Sequence, residues 1–441
     1  MDKTQLWIQL RGKFTNVLTL KHEILQLPIL YWFFGNFLAA YFLFFISPVF
    51  LNPEQSMKFG PYLDAITPIG GDLRLFLSMG RAFADQGDFS NAYPPLVTLL
   101  MTPFASMDPA AVYKVFTLII FLSYLCITVV IPSLIVKKEQ GLLLIVALFL
   151  TGLSSYGFHF EMERGQLNVI AFQFVLIAVY LFHYKPRFRY LAYVLFSIGV
   201  HIKIYPAIFI LMFIDDWKEW GVNFKRFAGI GILNLAFLFV LGYQPVSAFL
   251  HGITNITTLA SYVWIGNHSI KSFVMLLQAG QFQEVLSNYK LFAFQSWAAE
   301  NAAKVGSALT ILVLLCFLLV AFRSFQQNAK GFNPDIFIIS TLVALLVPAI
   351  SHDYTLSILG SAVGIALGNR IGLEPNSRFR LLYILLISLI SFAYSSVLFS
   401  YTNKSLLLQN NLPALMVMLF SFTIMAFLPQ PAPDSKIFLD T

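Results

Sequence analysis

Ten stretches of the chain run apolar with few charges: residues 28–50, 112–135, 141–158, 166–183, 226–243, 306–322, 334–350, 355–369, 380–400 and 412–428. A run of about 20 apolar residues crosses the hydrocarbon core of a bilayer as a helix. The pattern therefore predicts an all-α polytopic membrane protein with about ten full spans. Residues 190–214 are also apolar but break at His201-Ile202-Lys203-Ile204-Tyr205-Pro206, where Pro206 opens a second helix and pushes the residue before it out of α space. Ahead of the second span, Gly70-Gly71-Asp72 precedes Leu73, Phe76, Leu77, Gly80, Phe83 and Ala84 on one face, with Arg74, Ser78, Arg81 and Asp85 on another. That spacing predicts an interfacial helix lying on the membrane surface and ending at Gly87. The break Asn91-Ala92-Tyr93-Pro94-Pro95 follows, then an apolar stretch from 96 to 104 that is too short to span.

Composition fixes the solvent. Of 441 residues 58% are hydrophobic and 11% charged, and mean hydropathy is +0.76, values at which a soluble domain would aggregate. With lipid as solvent, the formal charge of +7 reads as membrane sidedness and not as nucleic-acid affinity. Most of the 28 Lys and Arg fall in the N-terminus, in 136–140, 184–189, 215–226, 323–333 and 370–380, and in the C-terminal tail. These segments are expected in the cytoplasm. The organisation that follows is a cytoplasmic amphipathic segment 1–27, a transmembrane domain 28–428 and a cytoplasmic tail 429–441, with both termini inside. Two long loops, 51–111 and 244–305, and short turns at 159–165, 351–354 and 401–411 face the other side. Both flanks of 190–214 want the cytoplasm, so that run is expected to be a pair of half-length helices carrying Lys203 to its apex. Cys126 and Cys316 lie in apolar runs and read as small hydrophobes.

The candidate chemistry gathers on the outer face. Asp72 opens the surface helix, where it serves either as an N-cap or as a catalytic carboxylate; position alone leaves both open. His159, Glu161, Glu163 and Arg164 crowd the turn before Gln166 and Asn168, with Arg164 and Gln166 suited to an anionic or hydroxylated ligand. Lys203, flanked by Ile202 and Ile204, costs a few kcal/mol at membrane depth unless something anionic pairs with it. His352 sits in an outer turn, and Asn267-His268-Ser269 in the second long loop. One carboxylate therefore faces several cations. His and acidic residues lack zinc spacing, so no metal and no cofactor is expected.

Gly71-Asp72-Leu73-Arg74 through Tyr93-Pro94-Pro95, Arg164-Gly165-Gln166-Leu167-Asn168, Lys203-Ile204-Tyr205-Pro206 and Asn267-His268-Ser269 stand in an order that resembles glycosyltransferase family 87. That family is typified by polyprenol-phosphate-mannose-dependent α-mannosyltransferases of the GT-C superfamily, and the resemblance covers about residues 30 to 360. It implies a GT-C-like bundle in the plasma (inner) membrane and an enzyme with an extracytoplasmic active site. A hexose, mannose foremost, would move from a polyprenyl-phosphate donor to a hydroxyl of a lipid or glycan acceptor. Carried over onto this sequence, Asp72 is the expected base and Lys203, Arg164 and His352 the donor-phosphate residues; Arg81, on the same face by the charge argument, is expected to join them. Tyr93, Gln166, Asn168, Asn267 and His268 are the expected substrate contacts. Asn267-His268-Ser269 stands where the family's Asn-Gln-Ser is expected. The competing class is a flippase for lipid-linked sugars or another secondary transporter, against which the single broken pair and the unequal outer loops weigh, since inverted repeats would show matching breaks.

Overall fold

A computed structural model describes residues 70–87, 89, 92–136, 139–153, 155–256, 262–280, 292–370 and 410–428. The expected spans 28–50 and 380–400, the amphipathic segment 1–27 and the tail lie outside the described residues. Within them every regular element is helical: α1 (Gly71–Gln86), α2 (Pro95–Met101), α3 (Pro109–Ile135, with a π turn at Cys126–Val130), α4 (Glu139–Leu153), α5 (Tyr156–Arg164), α6 (Asn168–Tyr184) and α7 (Arg189–Ile202). A 3-10 helix, Tyr205–Phe213, leads to α8 (Trp220–Leu238), α9 (Tyr243–Ile256), α10 (Ile270–Gln278), α11 (Phe292–Glu300), α12 (Ala302–Gln326) and α13 (Pro334–Leu346). Another 3-10 helix, Asp353–Ile358, precedes α14 (Leu359–Gly368), and α15 (Leu412–Phe427) is the last described helix.

The chain is an all-α membrane protein, but its described residues do not reach the expected ten spans. Two helices, α3 and α12, are long and apolar enough to cross alone, and two bent pairs raise the number to at most four. The pairs are Gly141–Leu153 with Gly157–Arg164, bent by 55°, and Trp220–Leu238 with Tyr243–Ile256, bent by 97°. The expected spans 166–183, 334–350, 355–369 and 412–428 are helices of 10–17 residues. Burial differs between these classes. Residues 335–346 of α13 and all of α14 are buried on every side, whereas Ile311, Leu315, Leu318 and Phe322 of α12 form an exposed apolar stripe suited to lipid. A helix sheathed by protein has its ends satisfied by neighbouring groups, so its length need not match the bilayer.

The expected turn at 159–165 is instead the end of a helix. Ser155 N-caps α5 through a bond from Phe158 N to its Oγ, and Gly165 closes it in the left-handed conformation at φ 64. Residues 189–214 do form a hairpin. The Arg189 guanidinium pairs with the Asp215 carboxylate at its base, and Phe213 packs on Phe196 with ring centroids 4.8 Å apart. Its second arm is a 3-10 helix and not an α-helix. At about 2.0 Å per residue its nine residues span about 18 Å, close to the ~21 Å of the 14-residue α7, so the chain returns to its starting level.

Helix α1 runs where the amphipathic pattern puts it and ends at Gly87, φ 67. Its apolar face does not lie on lipid. Leu73, Phe76 and Leu77 are buried against Val97, Met101, Val112, Tyr113, Phe116, Leu167 and Ile202. A Cβ on Gly165 would come within 2.8 Å of Leu73 Cβ. Gly165→Ala is therefore expected to cost at least about 1–2 kcal/mol from the left-handed backbone alone, read as a lower melting temperature in detergent; an unchanged melting curve would contradict this close approach.

Candidate active site

The N-terminus of α1 meets the C-terminus of α5, and their union builds the site. Gly70 N donates to Glu163 O at 2.7 Å, and Tyr113 Oη donates to Met162 O at 2.9 Å. A side chain on Gly70, at φ 72, would strike the Tyr113 ring, and a Cβ on Gly71 would lie 3.1 Å from Arg164 Nη1. Asp72 does not cap its helix. The N-cap is Gly70, without a side-chain capping bond, and the Asp72 carboxylate turns to the Arg164 guanidinium and to Gln166 Nε2. Both ends favour this arrangement, since a carboxylate in a first turn and a cation in a last turn each oppose the local helix dipole. The Asp72 and Arg164 side chains keep 16% and 23% of their surface exposed, so a ligand can reach the pair.

Lys203 completes the cluster from the apex of the hairpin. It stands in extended conformation just past α7, where its Nζ donates to Gln166 Oε1 at 2.8 Å and to Tyr93 Oη at 3.4 Å. The ammonium also lies 4.9 Å from the Tyr93 ring centre and 5.6 Å from that of Tyr354, distances at which ring quadrupoles attract a cation. Tyr93 is braced edge-on by Phe76 at 4.8 Å. Gln166 thus spans the two charges, its NH2 on the carboxylate and its C=O toward the ammonium. Reversing that amide would set oxygen against oxygen and donor against donor, so the neighbours fix its orientation.

Of the other expected site residues, some converge here and others do not. Asn168 begins α6 beneath the cluster, donating to Ser357 Oγ at 3.4 Å, while its backbone oxygen accepts from Tyr205 Oη at 3.2 Å. Arg81 lies nine residues along α1 from Asp72, about 13 Å away by helical rise, and its guanidinium holds Ala105 O. Asn267 and His268 are fully buried and spend their polar atoms on protein. Asn267 Oδ1 accepts from Ser351 N at 3.0 Å; His268 Nδ1 meets Asp353 Oδ1 at 3.0 Å, and its Nε2 meets Ser351 Oγ at 3.0 Å. A sugar contact at either residue would have to displace these bonds; in this geometry they clip the 262–270 segment to 349–355. His352 is at the site but is not a cation. Burial, with His268 nearby, pushes its pKa down to about 3, leaving it neutral at physiological pH.

Sequence reasoning gave no role to Tyr262, Trp264 or Tyr354, which form an aromatic wall around His352. Scattered aromatic residues in a chain with 46 Phe carry no distinguishing signal. Glu161 also emerges as structural: fully buried, it accepts from Val169 N at 2.8 Å and so holds the first turn of α6. Arg164 and Lys203 cannot serve as metal ligands in their charged forms, and their chemistry suits phosphate oxygens. The site therefore offers a carboxylate that can accept a proton beside two fixed positive charges that can hold an anion.

No curated protein and no solved structure matches the chain. The model of glycosyltransferase family 87 matches residues 91–351, a segment that contains Tyr93, Arg164, Gln166, Asn168, Lys203, Asn267 and His268 and leaves Asp72 and His352 outside. With more than half of its length matched, the chain belongs to glycosyltransferase family 87.

Proposed function

We propose that this glycosyltransferase moves a hexose, mannose foremost, from a polyprenyl-phosphate donor to a hydroxyl of a lipid or glycan acceptor. Transfer would take place on the extracytoplasmic face of the plasma membrane, with both chain termini in the cytoplasm. The observation that carries this reading is the constellation of Asp72, Arg164, Gln166 and Lys203, in which one neutral amide separates the carboxylate from the ammonium. Asp72 takes the acceptor's hydroxyl proton as that oxygen forms its bond to the anomeric carbon. The bond from that carbon to the phosphate oxygen breaks, and the electron pair leaves with polyprenyl phosphate. Lys203 and Arg164 stabilise the charge that develops there. A phosphate arriving beside Lys203 competes with Asp72 for Arg164, which would loosen the carboxylate's ion pair as the donor binds. Attack opposite the leaving group inverts the anomeric centre, so a β-linked donor gives an α-linked product, by the geometry of inverting glycosidases.

Purified protein incubated with a panel of polyprenyl-phosphate sugars and hydroxyl acceptors is expected to release polyprenyl phosphate, most rapidly from the mannosyl donor. Absence of release from every donor would overturn the reading. Movement of intact donor across vesicles without release would point to a flippase.

A further inference from the structure

Trp264 and His352 sit on the two segments that the buried polar residues clip together. His268 N donates to Ser351 O and Asp353 N to Gly266 O, each at 2.9 Å, on either side of His352. The backbone oxygen of His352 accepts from Thr355 N and Thr355 Oγ1, both at 2.8 Å. With its main chain held, the ring is enclosed by Tyr262, stacked at 5.9 Å, by Trp264 at 5.6 Å and by Tyr354 edge-on at 5.5 Å. Trp264 Nε1 donates to His352 Nδ1 at 3.0 Å. An indole N–H can only donate, so His352 Nδ1 must present its lone pair, and the neutral ring carries its proton on Nε2.

We infer that Trp264 is a positioning residue that fixes His352 as a neutral Nε2–H donor for an oxygen of the bound sugar phosphate. The electrostatic influence of Asp72, Lys203 and Arg164 reaches this ring, and Nε2 has no hydrogen-bond partner among the described residues. A third positive charge beside Lys203 and Arg164 would repel both, whereas a neutral donor adds direction without charge. The burial that keeps this ring neutral works in the same sense as the indole bond. Nδ1 faces the indole, so the opposite nitrogen is the one available to a ligand. The inference rests on the proposed donor chemistry for its ligand, but not for the tautomer itself.

The tautomer is measured first, on the full-length protein with 15N-labelled histidine and no substrate. The chain has seven His, and the His352 signals are assigned by their loss in His352→Gln. The wild type is expected to show protonated Nε2 and bare Nδ1 at His352, and Trp264→Phe to show both tautomers. In transfer assays Trp264→Phe should lose about tenfold in kcat/KM, the worth of one well-placed hydrogen bond. His352→Gln, whose side-chain amide nitrogen stands where Nε2 stood, should retain more activity than His352→Phe. Protonated Nδ1 in the wild type would overturn the inference, as would a folded Trp264→Phe protein with unchanged tautomer and unchanged kcat/KM. Failure of the transferase reading shows separately, as absence of lipid-phosphate release by the wild type.

Discussion

Asp72→Asn protein is expected to fold, to bind donor and to transfer sugar at a rate lower by about 10²–10⁴-fold, the usual contribution of a positioned general base. Asparagine keeps the size of the side chain and can still accept from Gln166 Nε2, so the contact between α1 and α5 is retained. What it loses is the ability to take a proton. It also leaves Arg164 without its anion, and the melting temperature must be measured alongside the rate to separate catalysis from stability. A well-folded Asp72→Asn enzyme with wild-type rate would remove Asp72 as base. The Gly70 N-cap already argues that the carboxylate is not needed to start the helix.

The second large effect is expected at Lys203. Lys203→Met keeps an unbranched apolar stem and removes only the ammonium, which lies over the Tyr93 and Tyr354 rings. Loss of one charge-assisted hydrogen bond to phosphate is worth about 1.5–3 kcal/mol, or roughly 10–150-fold in donor affinity. Titration of the purified variant with labelled donor checks this, and unchanged affinity would take Lys203 out of the phosphate site. The variant also leaves Gln166 Oε1 without its ammonium partner, so part of any fall in rate would come from a looser Gln166 and not from binding. Comparing binding with single-turnover rate divides the two contributions.

Part of this site is legible in the sequence. The placement of Asp72 at the start of α1 followed from a single amphipathic stripe, and the hairpin around Lys203 followed from cationic flanks that both belong on one side. The Arg189–Asp215 pair closes that hairpin where the charge argument required a return. The readings of Asn267 and His268 did not anticipate their burial. A polar triplet in a loop looks the same whether it faces a ligand or ties two loops together, and the partners that bury this one, Ser351, Asp353 and Ala349, stand 80 to 85 positions further along the chain. The charge expected on His352 met the same limit, because a ring's protonation depends on walls contributed by distant segments.

Composition and local backbone restrictions were enough to read the solvent, the helical class and a break just ahead of Pro206, although the chain leaves helical geometry at Lys203, and Tyr205, expected outside α space, already lies with Pro206 in the second helix. Each of these follows from quantities that a residue carries with it: its transfer free energy, its charge and its allowed backbone angles. Folding brings Asp72 to Arg164 and Gln166 and sets Gln166 in turn against Lys203. Packing also sets α1 on protein and leaves several apolar runs as helices of 10–17 residues, two of which, α13 and α14, are sheathed by their neighbours. Those outcomes depend on partners 92, 94 and 37 positions apart along the chain, and on which faces neighbouring helices already cover. A contact energy exists only once folding has brought both partners to the same place.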